Sequence, residues 1–330
     1  MRNLPALAGL LVLLAAPGAA AAPAELYADH PLNGTLWDTR GARQADEEEL
    51  LAEAVAARWV LLGEKHDNAV HHQLQARVVE ALGRAGRRLA VVWEMAEPEH
   101  AAALRDARLE SVGALGAALA WEARGWPAWA EYQPIAEAAL RHGLPMHPGK
   151  PARPLVRSLS RGEPLAAALA ERLAWQQPYP AGVEPALLEE LQESHCGLLP
   201  AEALGGMLKV QRLWDAWMAD SLLAAGTDGI GTGGGTGWGI GGGTGTSAAP
   251  GGAVLIAGSG HVREDRAVPW QLRARGGGEA FTLALVEVAA GREHPADYAA
   301  FDPARFDFVW FTPRVDEKDP CEGLRKRSAD

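Results

Sequence analysis

Four residues could do acid–base or ligand chemistry if the chain brings them together. They are Glu64 and His66 in Gly63-Glu64-Lys65-His66, Glu94 in Trp93-Glu94-Met95, and His261 in Gly258-Ser259-Gly260-His261. Two carboxyls and two imidazoles can hold a divalent metal. They can also act as general acid and base when burial raises a carboxyl pKa. Spacing alone is weak support. With 38 glycines and 10 histidines in 330 residues, chance gives about one Gly-x-x-His, and there are three. The third, Gly291 to His294, runs into Pro295 without a helix and reads as chance. The first two each stand between an apolar strand and a helix, at the carboxyl edge of an open α/β sheet, where ligands bind. There the glycine is expected to allow a sharp turn, and the helix N-terminus to offer N–H groups to an anion. His71 and His72 are adjacent on the following helix and point about 100° apart, so at most one can join the site. His30, His100, His142 and His147 read as surface or internally satisfied residues.

The elements that must position these groups follow from hydrophobic spacing. Residues 46–57 carry acidic residues in the first turn and apolar ones at helical spacing, a good helix start. Arg58 to Leu62 reads as a buried strand ended by Gly63, residues 69–82 as a helix capped by Asp67 or Asn68, and Leu89 to Glu94 as a second buried strand. Apolar strands alternating with helices predict an α/β fold, a largely parallel sheet flanked by helices. His30 to Asp38 suits a turn and a short edge strand. Residues 97–225 read as a mostly helical middle segment, with a short returning strand at Leu144 to His147 and a long amphipathic helix from Ala201 to Ala225. The apolar stripe of that helix reads as core. Residues 226–252 are a Gly/Thr-rich tract with no Gly-Lys-Ser/Thr after it, read as a flexible, disordered insertion and not a phosphate cradle. Strands at Ala253 to Ala257, 281–288 and Phe306 to Phe311, with a helix near 264–275, complete the chain.

The N-terminus begins with one Arg, an apolar stretch from Ala6 to Ala16 and then small residues. This pattern predicts a secretory signal peptide over 1–24, with the α/β domain over 25–330. The apolar stretch is too short to span a bilayer. The expected location is periplasmic or secreted. A net charge of −11 argues against nucleic acid and anionic membranes as partners. The two cysteines, Cys196 and Cys321, form no C-x-x-C pair, and in an oxidising compartment they are expected to make one disulfide.

Seven stretches in order resemble the ChaN-like haem-binding proteins of the Tiki/TraB/erythromycin-esterase superfamily. They are His30-Pro31-Leu32 with Gly34, VLLGEKHDNAVHHQLQ (60–75), VVWEM (91–95), WPAWAEYQPIAEAA (126–139), HCGLLPAEALGGMLKVQRLWDAWMADSL (195–222), VLIAGSGHVREDRAVPWQL (254–272) and FVWFTPRVDEKDPC (308–321). The resemblance implies an envelope protein of haem or iron uptake, serving a receptor there, with haem held by a tyrosine in a homodimer that sets two haems face to face. Tyr132 lies within a matching stretch and is the candidate ligand, with His66 and His261 as further candidates. The superfamily's hydrolases imply an alternative in which His66 is the general base and Glu64, Glu94 and His261 position a water, a substrate or a metal. The sequence departs from the family pattern in three places. No cysteine stands near the cleavage point to carry a lipid anchor, Met146-His147-Pro148-Gly149-Lys150 replaces a small-small-Asn turn, and 226–252 is inserted.

Overall fold

A computed structural model of the chain describes residues 26–226, 251–319, 321–322 and 325. The expected signal peptide over 1–24, and the Gly/Thr-rich tract except its ends at Gly226, Gly251 and Gly252, lie outside the described residues.

Eight strands form one sheet: β1 (Leu36–Asp38), β2 (Arg43–Ala45), β3 (Trp59–Glu64), β4 (Leu89–Trp93), β5 (Met146–Pro148), β6 (Gly252–Gly258), β7 (Phe281–Glu287) and β8 (Phe308–Thr312). Their spatial order is β2-β1-β8-β7-β3-β6-β4-β5. β1 pairs antiparallel with β2 and β8, and every other pairing is parallel. The expected α/β class is the observed one. β1 is not the edge strand, because the turn after Asp38 brings β2 back beside it.

The central strands β3, β4, β6 and β8 are buried on both faces, as near-continuous apolar strands require. Val60 and Leu62 of β3 face the helices Glu47–Ala56, Ala69–Arg84 and Trp129–Arg141. Trp59 and Leu61 face the helices Ala201–Ala225 and Ala267–Ala274. This is the period of two expected of a strand. Helix starts follow their caps. Asp46 accepts from Glu49 N, and Asn68 accepts from Val70 N and His71 N.

The connections decide where a ligand can sit. From β3 the chain runs through Ala69–Arg84 to β4, beyond β6. From β6 it runs through Ala267–Ala274 to β7, on the other side of β3. The neighbours β3 and β6 therefore send their crossovers in opposite directions, leaving a crevice at their carboxyl ends. Glu64 and Gly258 are register partners at that point.

Candidate functional site

Both glycine turns open into this crevice, but neither glycine is there for a left-handed backbone. Gly63 stays within β3, where a Cβ would lie 2.5 Å from Val262 Cγ2 and 2.9 Å from Ser259 Cα. Gly258 has φ −60°, and its Cβ would lie 3.1 Å from His66 Nε2. Close approach, not a sharp turn, is the constraint at both places, against backbone at Gly63 and against the His66 side chain at Gly258. Some of the N–H groups expected to meet a ligand are already engaged. Gly258 N donates to Glu94 Oε2 at 2.8 Å, and Asn68 takes the first N–H groups of its helix.

The four expected residues meet, as a chain of alternating carboxyls and imidazoles. His66 Nδ1 lies 2.8 Å from Glu64 Oε1. His66 Nε2 is 3.7 Å from Glu94 Oε2, and His261 Nε2 is 3.6 Å from Glu94 Oε1. The far end is Asp215, whose Oδ1 lies 2.6 Å from His261 Nδ1, with Gln211 Nε2 at 3.2 Å from the same nitrogen. Glu64, Glu94, Asp215 and His261 are buried, while the His66 side chain keeps 35% exposure.

Burial of this kind is costly unless charges are shared. Burial alone would lower the His66 pKa, but the Glu64 hydrogen bond and the charges of Glu94 and Glu64 outweigh it and raise it to about 9. His261 shows the same contest, with burial lowering its pKa and the charges of Glu94 and Asp215 raising it more. For Glu94 burial acts upward, yet His261, His66 and the Gly258 N–H hold its carboxyl below the usual range. At neutral pH the Glu94 carboxylate thus stands beside the His66 imidazolium, with the His261 imidazole, its pKa raised, on its other side. Among the described residues no three His, Cys, Asp or Glu side chains are arranged to hold a metal ion. Each imidazole instead spends its Nδ1 on a carboxyl, and one Glu94 oxygen is spent on Gly258 N.

Tyr132 forms the floor. It is fully buried, and its hydroxyl donates to Glu64 Oε1 at 2.6 Å and lies 3.1 Å from the His66 carbonyl oxygen. Burial, then the Glu64 charge and hydrogen bond, push its pKa far up. His72 stacks on the Tyr132 ring with centroids 3.7 Å apart, and its Nε2 lies 3.3 Å from Glu64 Oε2. His71 points the other way, accepting from Lys65 N and meeting Thr312 Oγ1 at 2.8 Å. The expectation that only one of the pair could join is met by His72. His294, in the third Gly-x-x-His, caps the short 3-10 turn Pro295–Asp297. His100 accepts from Glu97 N, and His142 pairs with Glu80 at 3.0 Å.

Sequence reasoning missed Asp215, Gln211 and Lys150. Asp215 and Gln211 are four residues apart on Ala201–Ala225, a spacing that puts two polar groups on one face of a helix read as core. That was the available signal. Lys150 follows β5, and its Nζ sits over the rings of Trp126 and Trp214.

A doubly covered α/β sheet with a polar cluster at its switch point has that cluster where such sheets bind ligands. The sequence profile described as "Haem-binding uptake, Tiki superfamily, ChaN" matches residues 50–272, and the chain belongs to that family. Membership ties it to haem. Among solved structures it is similar to "Cofacial heme binding to ChaN of Campylobacter jejuni", with TM-score 0.60 and 20% identity over 83% of this chain and 95% of that one. It also matches the type III effector HopBA1, with TM-score 0.39 and 13% identity over 88% of this chain and 97% of that one. No curated protein sequence matches it. The expected disulfide is present, joining Cys196 to Cys321. Among the described residues no helix is long and apolar enough to cross a membrane.

Proposed function

We propose that this chain is an exported haem-binding protein of haem or iron uptake, acting in the periplasm or outside the cell. The family match across residues 50–272 carries this reading. The Campylobacter structure is described as binding haem cofacially, which supports a homodimer holding two haems face to face here. An envelope haem receptor is the partner such a carrier would serve.

The three candidate iron ligands differ in access. Tyr132 is fully buried with its hydroxyl committed to Glu64, so ligation through it requires that hydrogen bond to break and the helix Trp129–Arg141 to shift. The His261 side chain is 10% exposed, that of His66 35%. His66 is therefore the ligand that haem can reach with least rearrangement. Haem iron would replace the proton that its raised pKa holds. Hemin titration followed at the Soret band tests the reading. The expected result is a saturable shift that His66→Gln weakens about ten-fold or more, while Tyr132→Phe leaves it. A shift lost only in Tyr132→Phe returns the iron to the tyrosine. No shift at all overturns haem binding.

A second reading, hydrolysis, is favoured by the Asp215–His261–Glu94–His66 chain. In it His66 is the acid and not the base, because its raised pKa keeps it protonated at neutral pH. Glu94, ionised and facing both imidazoles, is the group left to accept a proton from water. Ester and peptide substrates assayed on wild type against Glu94→Gln test this, and absence of turnover in wild type overturns it.

A further inference from the structure

A groove of about 400 Å³ opens beside the cluster, with Trp126 and Trp214 among its walls. The Trp126 ring lies 5.1 Å from His66 and the Trp214 ring 6.0 Å from His261. Each aromatic wall thus leans on one of the two imidazoles. Lys150 places its Nζ 5.2 Å from the Trp126 centroid and 4.6 Å from that of Trp214. Arg124, Arg153 and Arg157 complete the cationic lining, with Arg153 paired to Glu97.

These charges are poorly matched within the protein. Glu97, the carboxyl in the lining, is shared by Arg153 at 2.9 Å and Arg124 at 3.5 Å. Arg124 still has a buried Nη2 without a hydrogen-bond partner. Among the described residues, neither the Lys150 ammonium nor the exposed Arg157 guanidinium has an ion pair. A half-buried ammonium without a counter-ion is costly, and burial lowers the Lys150 pKa even though Glu94 pulls it upward. An anionic ligand would relieve that cost, and two tryptophan faces would hold a flat apolar body beside it.

We propose that this groove is an anion-recognition subsite of the cluster. Lys150, Arg124 and Arg157 take the carboxylate or phosphate of a ligand whose flat apolar body lies along Trp126 and Trp214. The subsite deepens the haem reading, since haem carries propionate carboxylates on a flat ring, and it also stands for a hydrolase acting on an anionic substrate.

Two arms separate the possibilities. In the first, hemin and hemin dimethyl ester are titrated into the full chain. The wild type is expected to prefer the free acid by about ten-fold or more, and Lys150→Met and Arg157→Gln each to erode that preference about three-fold or more. Equal affinities in the wild type overturn the subsite and leave haem binding standing. In the second arm, calorimetry compares 2-naphthyl phosphate, 2-naphthoate and neutral 2-naphthol without haem. Tighter binding of either anion, lost in Lys150→Met and kept in Lys150→Arg, supports the subsite and says which anion it takes. Anions that bind no tighter than naphthol overturn it, whatever hemin does. Arg157 is exposed, so Arg157→Gln reports on the groove without a folding defect.

Discussion

His261 Nδ1 lies 2.6 Å from Asp215 Oδ1, and this contact turns the opposite nitrogen of the ring toward Glu94, 3.6 Å away. A carboxyl that fixes one imidazole nitrogen sets what the other can do. Asp215→Asn keeps the shape but removes the charge. The His261 pKa, raised by Glu94 and Asp215 against the effect of burial, is expected to fall in this variant. Stability should drop by about 1–3 kcal/mol, since a buried group loses a charged partner. Imidazole NMR titration and urea melts check both, and an unchanged His261 titration would show that Asp215 has no hold on the ring.

The cluster also fixes how stability depends on pH. His66 has its pKa raised from 6.5 to about 9, so its contribution is complete below about 6.5 and is lost as pH climbs through about 9. Glu94 is lowered from 4.5, so its contribution is present above about 4.5 and is lost as pH falls through its folded value. Denaturant melts should therefore show a plateau between these limits and a decline on the alkaline side. His66→Gln is expected to flatten the alkaline decline. A decline of the same size in that variant would place its origin elsewhere.

The sequence carried the frame of the site more fully than its chemistry. The apolar runs of β3, β4 and β6 and the turns after them were readable, because a strand covered on both faces must be apolar throughout. Asp215 was hidden because it interrupts an apolar stripe, with Leu213 and Met218, that reads as core, and it is buried on the same helix as they are. Its partner His261 lies 46 residues away in sequence, so no local pattern joins the two. Lys150 was noticed only as a departure from a family turn. Its place between two tryptophans depends on β5 returning beside β4, which is a matter of topology and not of spacing. The glycines were read as turn-formers, but the constraint is the turn after β6 at Gly63 and the His66 ring at Gly258, not the residue's own φ.

That distinction gives two substitutions with different outcomes. In Gly63→Ala the added Cβ meets the Ser259 backbone at 2.9 Å and Val262 at 2.5 Å, so the register of β3 against the turn after β6 must give. A loss of about 1–3 kcal/mol is expected. In Gly258→Ala the Cβ meets the His66 ring edge at 3.1 Å, a side chain with room to move. The fold should hold to within about 1 kcal/mol, while hemin affinity falls if His66 is the ligand. Thermal melts of the two variants check the ranking, and equal destabilisation would contradict the reading of Gly258 as a site glycine.

Cys196 and Cys321 are 125 residues apart in sequence and joined by a disulfide with Cα atoms 5.6 Å apart. The bridge ties the C-terminal segment after β8 to the turn that ends the helix Val183–Ser194. Closing so long a loop restricts the unfolded chain, worth up to about 5 kcal/mol in the chain-entropy model, less any strain. Protein recovered from an oxidising compartment should show no free thiol before reduction. Reduction, or the Cys196→Ser and Cys321→Ser pair, should lower the melting temperature and leave the C-terminal segment open to protease. Among the described residues the Glu94 cluster draws none from this segment, so hemin affinity should survive reduction. Two titratable thiols in the exported, unreduced protein would overturn the bridge and remove its support for export. A loss of hemin binding on reduction would instead show that the helices beyond Val183 help to hold the ligand.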